Sequence, residues 1–145
     1  MSEDALAELE PSAESAPRPL SILLVDDDET HVAPLAHRLQ KLGFEVLSAH
    51  TAAEALEIAM RAQPDLTLLD ICLPDQDGLE VCAQLADAPR TCGMPIILLS
   101  GLDGPDIVRR SRAVGGSYFV RKPYDPNVLL ALIHEALRGG CDPEW

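Results

Sequence analysis

Four acidic residues stand where apolar runs end. Asp26, Asp27 and Asp28 follow Ser21–Val25, and Asp70 follows Leu66–Leu69. Ser100 comes directly after Pro95–Leu99, and Lys122 lies just past Ser117–Val120. If these runs are parallel strands, their carboxyl ends lie together, and carboxylates, a hydroxyl and an ammonium meet at one edge. Two unshielded carboxylates about 4 Å apart repel by roughly 4 kcal/mol at an effective dielectric near 20, so the cluster needs a proton or a cation. An all-oxygen donor set with no His or Cys arrayed for coordination favours Mg²⁺, which takes one or two carboxylates, several waters and phosphate oxygens. A carboxylate nucleophile, Mg²⁺, an ammonium and a hydroxyl around one point are the parts that phosphoryl transfer needs. The charges are consistent: three carboxylates, Asp26, Asp27 and Asp70, would be offset by Mg²⁺ and the Lys122 ammonium.

The elements that must position these groups are legible in the spacing. The strands are read as Ser21–Val25, Phe44–Ala49, Leu66–Leu69, Pro95–Leu99 and Ser117–Val120, continuous apolar runs of the kind covered on both faces. Between the first two, Val32, Leu35, Leu39 and Leu42 recur at helical spacing with Gly43 as a stop. Pro34 falls inside that helix and predicts a start delayed to near His31, or a kink. Thr51-Ala-Ala-Glu54 is a capping box for a helix to about Ala62, with Ala55, Leu56, Ala59 and Met60 inward. A third helix runs from near Gly78 to before Pro89. A fourth has Asp103 as cap, Pro105 in its first turn and Gly115 as terminator, and a fifth has Asp125, Pro126 and Gly139 in the same roles. Five β/α pairs make an α/β domain with a parallel sheet.

Composition narrows the function. The chain has 145 residues, 24 acids and 11 bases, a formal net charge of -13 and 47% hydrophobic residues. A chain of this size buries roughly 68–70% of its unfolded surface, enough for one core without staples. Residues 1–19 read as a flexible acidic leader, 20–139 as the domain and 140–145 as a short tail. The acidity argues against direct nucleic-acid binding, which rests on clustered Lys and Arg. Arg109, Arg110 and Arg112 form one basic cluster, read first as a solvated helix face and second as a docking surface. Cys72, Cys82, Cys92 and Cys141 show no metal or disulfide spacing and suit a reducing cytoplasm. No signal-peptide pattern and no run of about 20 apolar residues is present, so a membrane partner is not expected.

Four segments together resemble the receiver domains of bacterial response regulators: Val25-Asp26-Asp27, Leu69-Asp70-Ile71-Cys72-Leu73-Pro74-Asp75-Gln76-Asp77-Gly78, Ile97-Leu98-Leu99-Ser100-Gly101 and Val120-Arg121-Lys122-Pro123. Each is weak alone, but all four occur in order and at strand ends, over about residues 21–138. The resemblance implies a flavodoxin-like doubly wound (βα)5 three-layer sandwich with strand order 2-1-3-4-5. It implies a signalling module, not a conventional enzyme, with Asp70 as phosphoacceptor and a sensor histidine kinase or histidine phosphotransfer protein as donor. Asp27, Asp70 and the Cys72 carbonyl would hold Mg²⁺ directly, with Asp26 acting mainly through water. Lys122 would pair with phosphoryl oxygens, Ser100 would move to hydrogen-bond them, and Phe119 would be the switch aromatic turning inward behind Ser100. The Lys122-Pro123 peptide would be cis. The output surface would be the fourth helix, fifth strand and fifth helix, serving a protein effector or a second copy; Arg109, Arg110 and Arg112 lie on it and are expected to touch an acidic partner or a second copy. Cys72 and Leu102 stand where side chains could orient the hydrolytic water, and neither does so well, which predicts slow autodephosphorylation.

Asp28 and Glu29 read as a helix-start charge bias. Asp75 and Asp77 suggest a calcium loop, but Leu73 and Gln84 occupy its first and twelfth positions. His31, His37, His50 and His134 are scattered, with only His50 near the site. A haloacid-dehalogenase-like phosphatase would need a second acid where Cys72 stands. A flavodoxin would need a Ser/Thr/Gly phosphate loop where Asp26-Asp27-Asp28 stands. The remaining alternative is a receiver fold used as an interaction module that signals without phosphorylation.

Overall fold

The computed structural model describes residues 18–101 and 105–139. The acidic leader up to residue 17, Leu102, the Asp103 cap and Cys141 lie outside the described residues. Five strands, β1 (Ser21–Val25), β2 (Glu45–Ala49), β3 (Leu66–Asp70), β4 (Ile96–Ser100) and β5 (Tyr118–Arg121), alternate with five helices. These are α1 (Glu29–Lys41), α2 (Ala52–Ala62), α3 (Gly78–Asp87), α4 (Pro105–Ala113) and α5 (Pro126–Leu137). All strand pairs are parallel and the order is β2-β1-β3-β4-β5. This is the flavodoxin-like doubly wound arrangement, with the order reversing beside β1.

Alternate residues of the central strands feed two cores. Leu23, Val25, Leu69, Ile96 and Leu98 pack beneath α2, α3 and α4. Ile22, Leu24, Leu68, Ile97 and Leu99 pack beneath α1 and α5. Neighbours such as Leu68 and Leu69 are therefore buried on opposite faces, each stabilising by about 1.5–3 kcal/mol. The central strand β3 is pinned from both sides, a rigid base for the residue that ends it.

Several boundaries differ from the sequence reading. β3, β4 and β5 each run one residue further, because the ladder continues through Asp70↔Leu99 and Ser100↔Arg121. α1 starts at Glu29, without the delay expected from Pro34. The Asp28 side chain accepts from the Thr30 N–H and caps the first turn, and Pro34 stays inside the helix. The carbonyl that loses its partner to Pro34 belongs to Thr30, an exposed residue that water can satisfy. Leu42 is the C-cap of α1 and stands 53% exposed, so the inward stripe ends at Leu39. β2 is an edge strand covered only in part: Val46 packs against one core, Leu47 and Ala49 against the other, and Glu45 and Ser48 are exposed.

Cys82 sits in the core under α3, and burial pushes its thiol up to about 12. The thiolate is the reactive form. In the native protein near neutral pH, iodoacetamide is expected to label exposed Cys92 and to leave Cys82 unmodified until denaturant is added. Peptide mapping reads this, and labelling of native Cys82 at the rate of Cys92 would show that the α3 face opens.

Candidate functional site

β1 and β3 are adjacent, so their terminal residues open onto one crevice at the point where the strand order reverses. Carboxylate oxygens of Asp26, Asp27 and Asp70 lie within 4.8 Å of one another. Asp26 and Asp70 are buried and Asp27 is exposed. Lys122 enters from the end of β5, its backbone N–H donating to the Ser100 carbonyl at 2.8 Å. Its Nζ donates to Asp26 Oδ2 and Asp70 Oδ2, both at 3.0 Å. The Lys122-Pro123 peptide is cis.

The loops hold these groups through backbone bonds. Asp26 Oδ1 accepts from the Asp28 N–H at 2.9 Å, and Asp70 Oδ1 from the Cys72 N–H at 3.1 Å. After Asp70 the chain folds tightly, with a Cys72–Asp77 bridge and the Gly78 N–H donating to the Ile71 carbonyl at 2.7 Å. Gly78 is required here, since a Cβ would lie 2.3 Å from the Asp70 carbonyl oxygen and 2.6 Å from Ile71 Cα. At Gly101 a Cβ would meet nothing within 4 Å among the described residues.

The electrostatics follow from burial. Desolvation raises the Asp70 carboxyl above its ordinary value, against the Lys122 and Cys72 hydrogen bonds that lower it. Burial disfavours the Lys122 ammonium, but its bonds to Asp26 and Asp70 outweigh this and its pKa is raised. The donor set fits a hard divalent cation: three clustered carboxylates, two of them withdrawn from water, with one ammonium between them; among the described residues the nearest imidazole to these carboxylates is His31, 3.9 Å from Asp26 Oδ2.

The acids, Lys122 and Cys72 named in the sequence meet at this edge, and Ser100 ends the strand next to β3, fully buried. Phe119 is half-buried one strand further out, packed against the core beneath α2–α4. Asp75 and Asp77 are helix caps. Asp75 accepts from the Ala52 and Ala53 N–H groups of α2, and Asp77 from the Leu79 N–H of α3. The clasp from Asp75 to α2 spans 23 residues, and no local motif announces it. The capping box is also looser than read: Thr51 accepts from the Glu54 N–H, but Glu54 accepts from the His50 N–H. His50 bridges two parts of the acid loop, its Nδ1 lying 3.1 Å from the Asp26 carbonyl oxygen and its Nε2 3.1 Å from Glu29. Of the arginine cluster, Arg109 pairs with Asp106 at 2.8 Å and Arg110 with Asp77 at 3.6 Å.

A doubly wound sheet that gathers three carboxylates and a lysine at its switch point defines an α/β protein built around an acidic, cation-seeking pocket. Residues 22–134 match the family model for the response regulator receiver domain, and the chain belongs to that family. Such domains are signalling phosphoacceptor modules, distinct from conventional enzymes. Over 117 residues, 81% of its length, the chain is 38% identical to the response regulator PleD of Caulobacter vibrioides and 35% identical to the alkaline phosphatase synthesis transcriptional regulatory protein PhoP of Bacillus subtilis. It spans only 26% of the former and 48% of the latter. A CheY-like receiver domain protein from Methanospirillum hungatei has a similar structure, with TM-score 0.79 and 31% identity, covering 83% of this chain and 95% of that one. So does the BeF3-activated N-terminal receiver domain of Klebsiella pneumoniae RstA, with TM-score 0.74 and 34% identity, covering 81% and 98%. No helix among the described residues is long and apolar enough to cross a membrane.

Proposed function

We propose that residues 20–139 form a phosphorylation-driven switch in which Asp70 accepts a phosphoryl group from a histidine kinase or histidine phosphotransfer protein. The observation that carries this is the Lys122 ammonium held 3.0 Å from both Asp26 and Asp70 beside the exposed Asp27. An Asp70 oxygen attacks the phosphorus, an O–P bond forms as the donor's N–P bond breaks, and the departing imidazole takes up a proton. Asp27, Asp70 and the Cys72 carbonyl would hold Mg²⁺ directly, with Asp26 acting through water, and the bound ion would supply charge neutralisation for the transferring oxygens. Lys122 exchanges part of its contact with Asp70 for the new phosphoryl oxygens. Ser100 and backbone N–H groups answer the added negative charge by moving, and Phe119 turns inward behind Ser100. α4, β5 and α5 then present the changed surface to a protein effector or a second copy.

Beryllofluoride, which mimics a phosphoryl group on a carboxylate, tests this without turnover. With Mg²⁺ it is expected to shift the amide resonances of Ser100 and Phe119, and to leave them unmoved in EDTA or in Asp70→Ala. Shifts that persist in Asp70→Ala would overturn the assignment. Their absence in the unmodified chain would favour an interaction module that signals without phosphorylation.

A further inference from the structure

A cavity of about 490 Å³ lies between α1 and the segment joining β5 to α5, and of the acidic site's residues only Lys122 lines it. Pro34, Leu35, Pro123, Tyr124 and Pro126 supply an apolar lining. Its volume falls in the range of small-molecule sites, which pair an apolar wall with a few polar groups that orient the ligand.

The polar groups select the ligand's charge. In a chain of 24 acids and 11 bases, no acid lines this cavity, while Arg38, His31 and Lys122 do. Lys122 is matched by Asp26 and Asp70, and His31 lies 3.5 Å from Asp28. Arg38 differs from both: its guanidinium donates to the neutral side-chain oxygen of Asn127. Among the described residues no carboxylate pairs with it, so most of its donors and its whole charge remain available. Tyr124 adds a second anchor. No hydrogen bond to its hydroxyl is found among the described residues, and a phenol is a neutral donor near neutral pH.

We infer that this cavity binds a small anionic amphiphile, its aromatic or aliphatic body against Pro34, Leu35 and Pro123 and its carboxylate or sulfonate head on the Arg38 guanidinium. A planar fork of N–H donors suits such a head. The ligand's flank would also meet Lys122, the residue that bridges Asp26 and Asp70.

The test uses the full chain with anilinonaphthalene sulfonate as probe, read by fluorescence titration and amide shifts. Saturable binding at one site is expected, with shifts confined to Thr30 through Arg38 and Lys122 through Asn127. Arg38→Gln is expected to weaken binding by about tenfold, the loss of one charge-assisted hydrogen bond. Uncharged N-phenylnaphthylamine should bind at least as weakly and respond little to the same substitution. An unchanged thermal midpoint in Arg38→Gln establishes that the variant folds. Absence of saturable binding, equal affinity for both probes, or shifts centred elsewhere would overturn the inference. So would displacement of residues 1–17 by the probe, or cavity resonances that move with protein concentration. Those outcomes would assign the cavity to the chain's own N-terminal segment or to a second copy.

Discussion

Lys122→Met is expected to destabilise the metal-free protein by about 2–4 kcal/mol near pH 7.5, somewhat below the full cost of breaking a buried ion pair because the lysine keeps some contact with solvent. The Lys122 side chain is 19% exposed, and it bridges Asp26 and Asp70, whose side chains are 9% and 6% exposed. Methionine preserves most of the stem's packing and removes only the ammonium. Two buried carboxylates then face each other, with ligand oxygens no more than 4.8 Å apart, where repulsion at an effective dielectric near 20 is about 3.5 kcal/mol or more. The pH dependence has a definite sign. The folded-state pKa of Asp70 is already raised, chiefly by desolvation, and Lys122 opposes that rise, so the substitution moves it further up. A raised carboxyl contributes stability at low pH and loses it as pH climbs through the folded value. The deficit of Lys122→Met should therefore shrink as pH falls toward 5, while the wild-type ammonium, its pKa raised, stays charged throughout. Mg²⁺ should reduce the deficit as well, by supplying the missing positive charge. Urea denaturation in EDTA across this range, repeated with Mg²⁺, measures both effects. A deficit independent of pH and metal would mean that the lysine matters for packing alone.

Gly78→Ala is expected to be the most damaging single methyl in the phosphoacceptor loop, costing about 2–4 kcal/mol and weakening Mg²⁺ binding. The added carbon would meet the Asp70 and Ile71 carbonyl oxygens at 2.3 and 2.9 Å and Ile71 Cα at 2.6 Å. All three are backbone atoms in or beside the central strand, so none can yield by rotating a side chain. Relief requires the start of α3 to draw back, which breaks the 2.7 Å bond from the Gly78 N–H and moves the Cys72 carbonyl. Ordinary helix propensity would favour alanine here, so a loss identifies the close approach as the cause. Gly93→Ala is the control, because a Cβ there meets nothing within 4 Å. Equal stability of the two variants, with unchanged Mg²⁺ affinity by calorimetry, would show that α3 adjusts freely.

The acidic edge was legible because the interior strands β1, β3 and β4 are buried throughout and each ends in apolar residues that stop at an abrupt polar one. Leu69-Asp70 and Leu99-Ser100 mark such breaks without any knowledge of partners. The ladder itself overran the apolar runs, since hydrogen bonding continues through Asp70 and Ser100 whatever their side chains. Edge strand β2 meets both cores through Val46, Leu47 and Ala49, but its edge position leaves Glu45 and Ser48 exposed. Pro34 misled because its penalty falls on a carbonyl that water can reach, and the cap at Asp28 starts the helix regardless. What the sequence could not convey is which groups pair once gathered. Periodicity places Lys122 at the edge, but its bridge to Asp26, the hold of His50 on the Asp26 carbonyl and the clasp of Asp75 on α2 all depend on the path of loops in space.

The central claim is that Asp70 takes up a phosphoryl group, and intact mass tests it most directly. After incubation with Mg²⁺ and acetyl phosphate, the chain is expected to gain the mass of one phosphoryl group, and Asp70→Asn is expected to gain none. A gain that survives in Asp70→Asn, or no gain in the unmodified chain, would contradict the account.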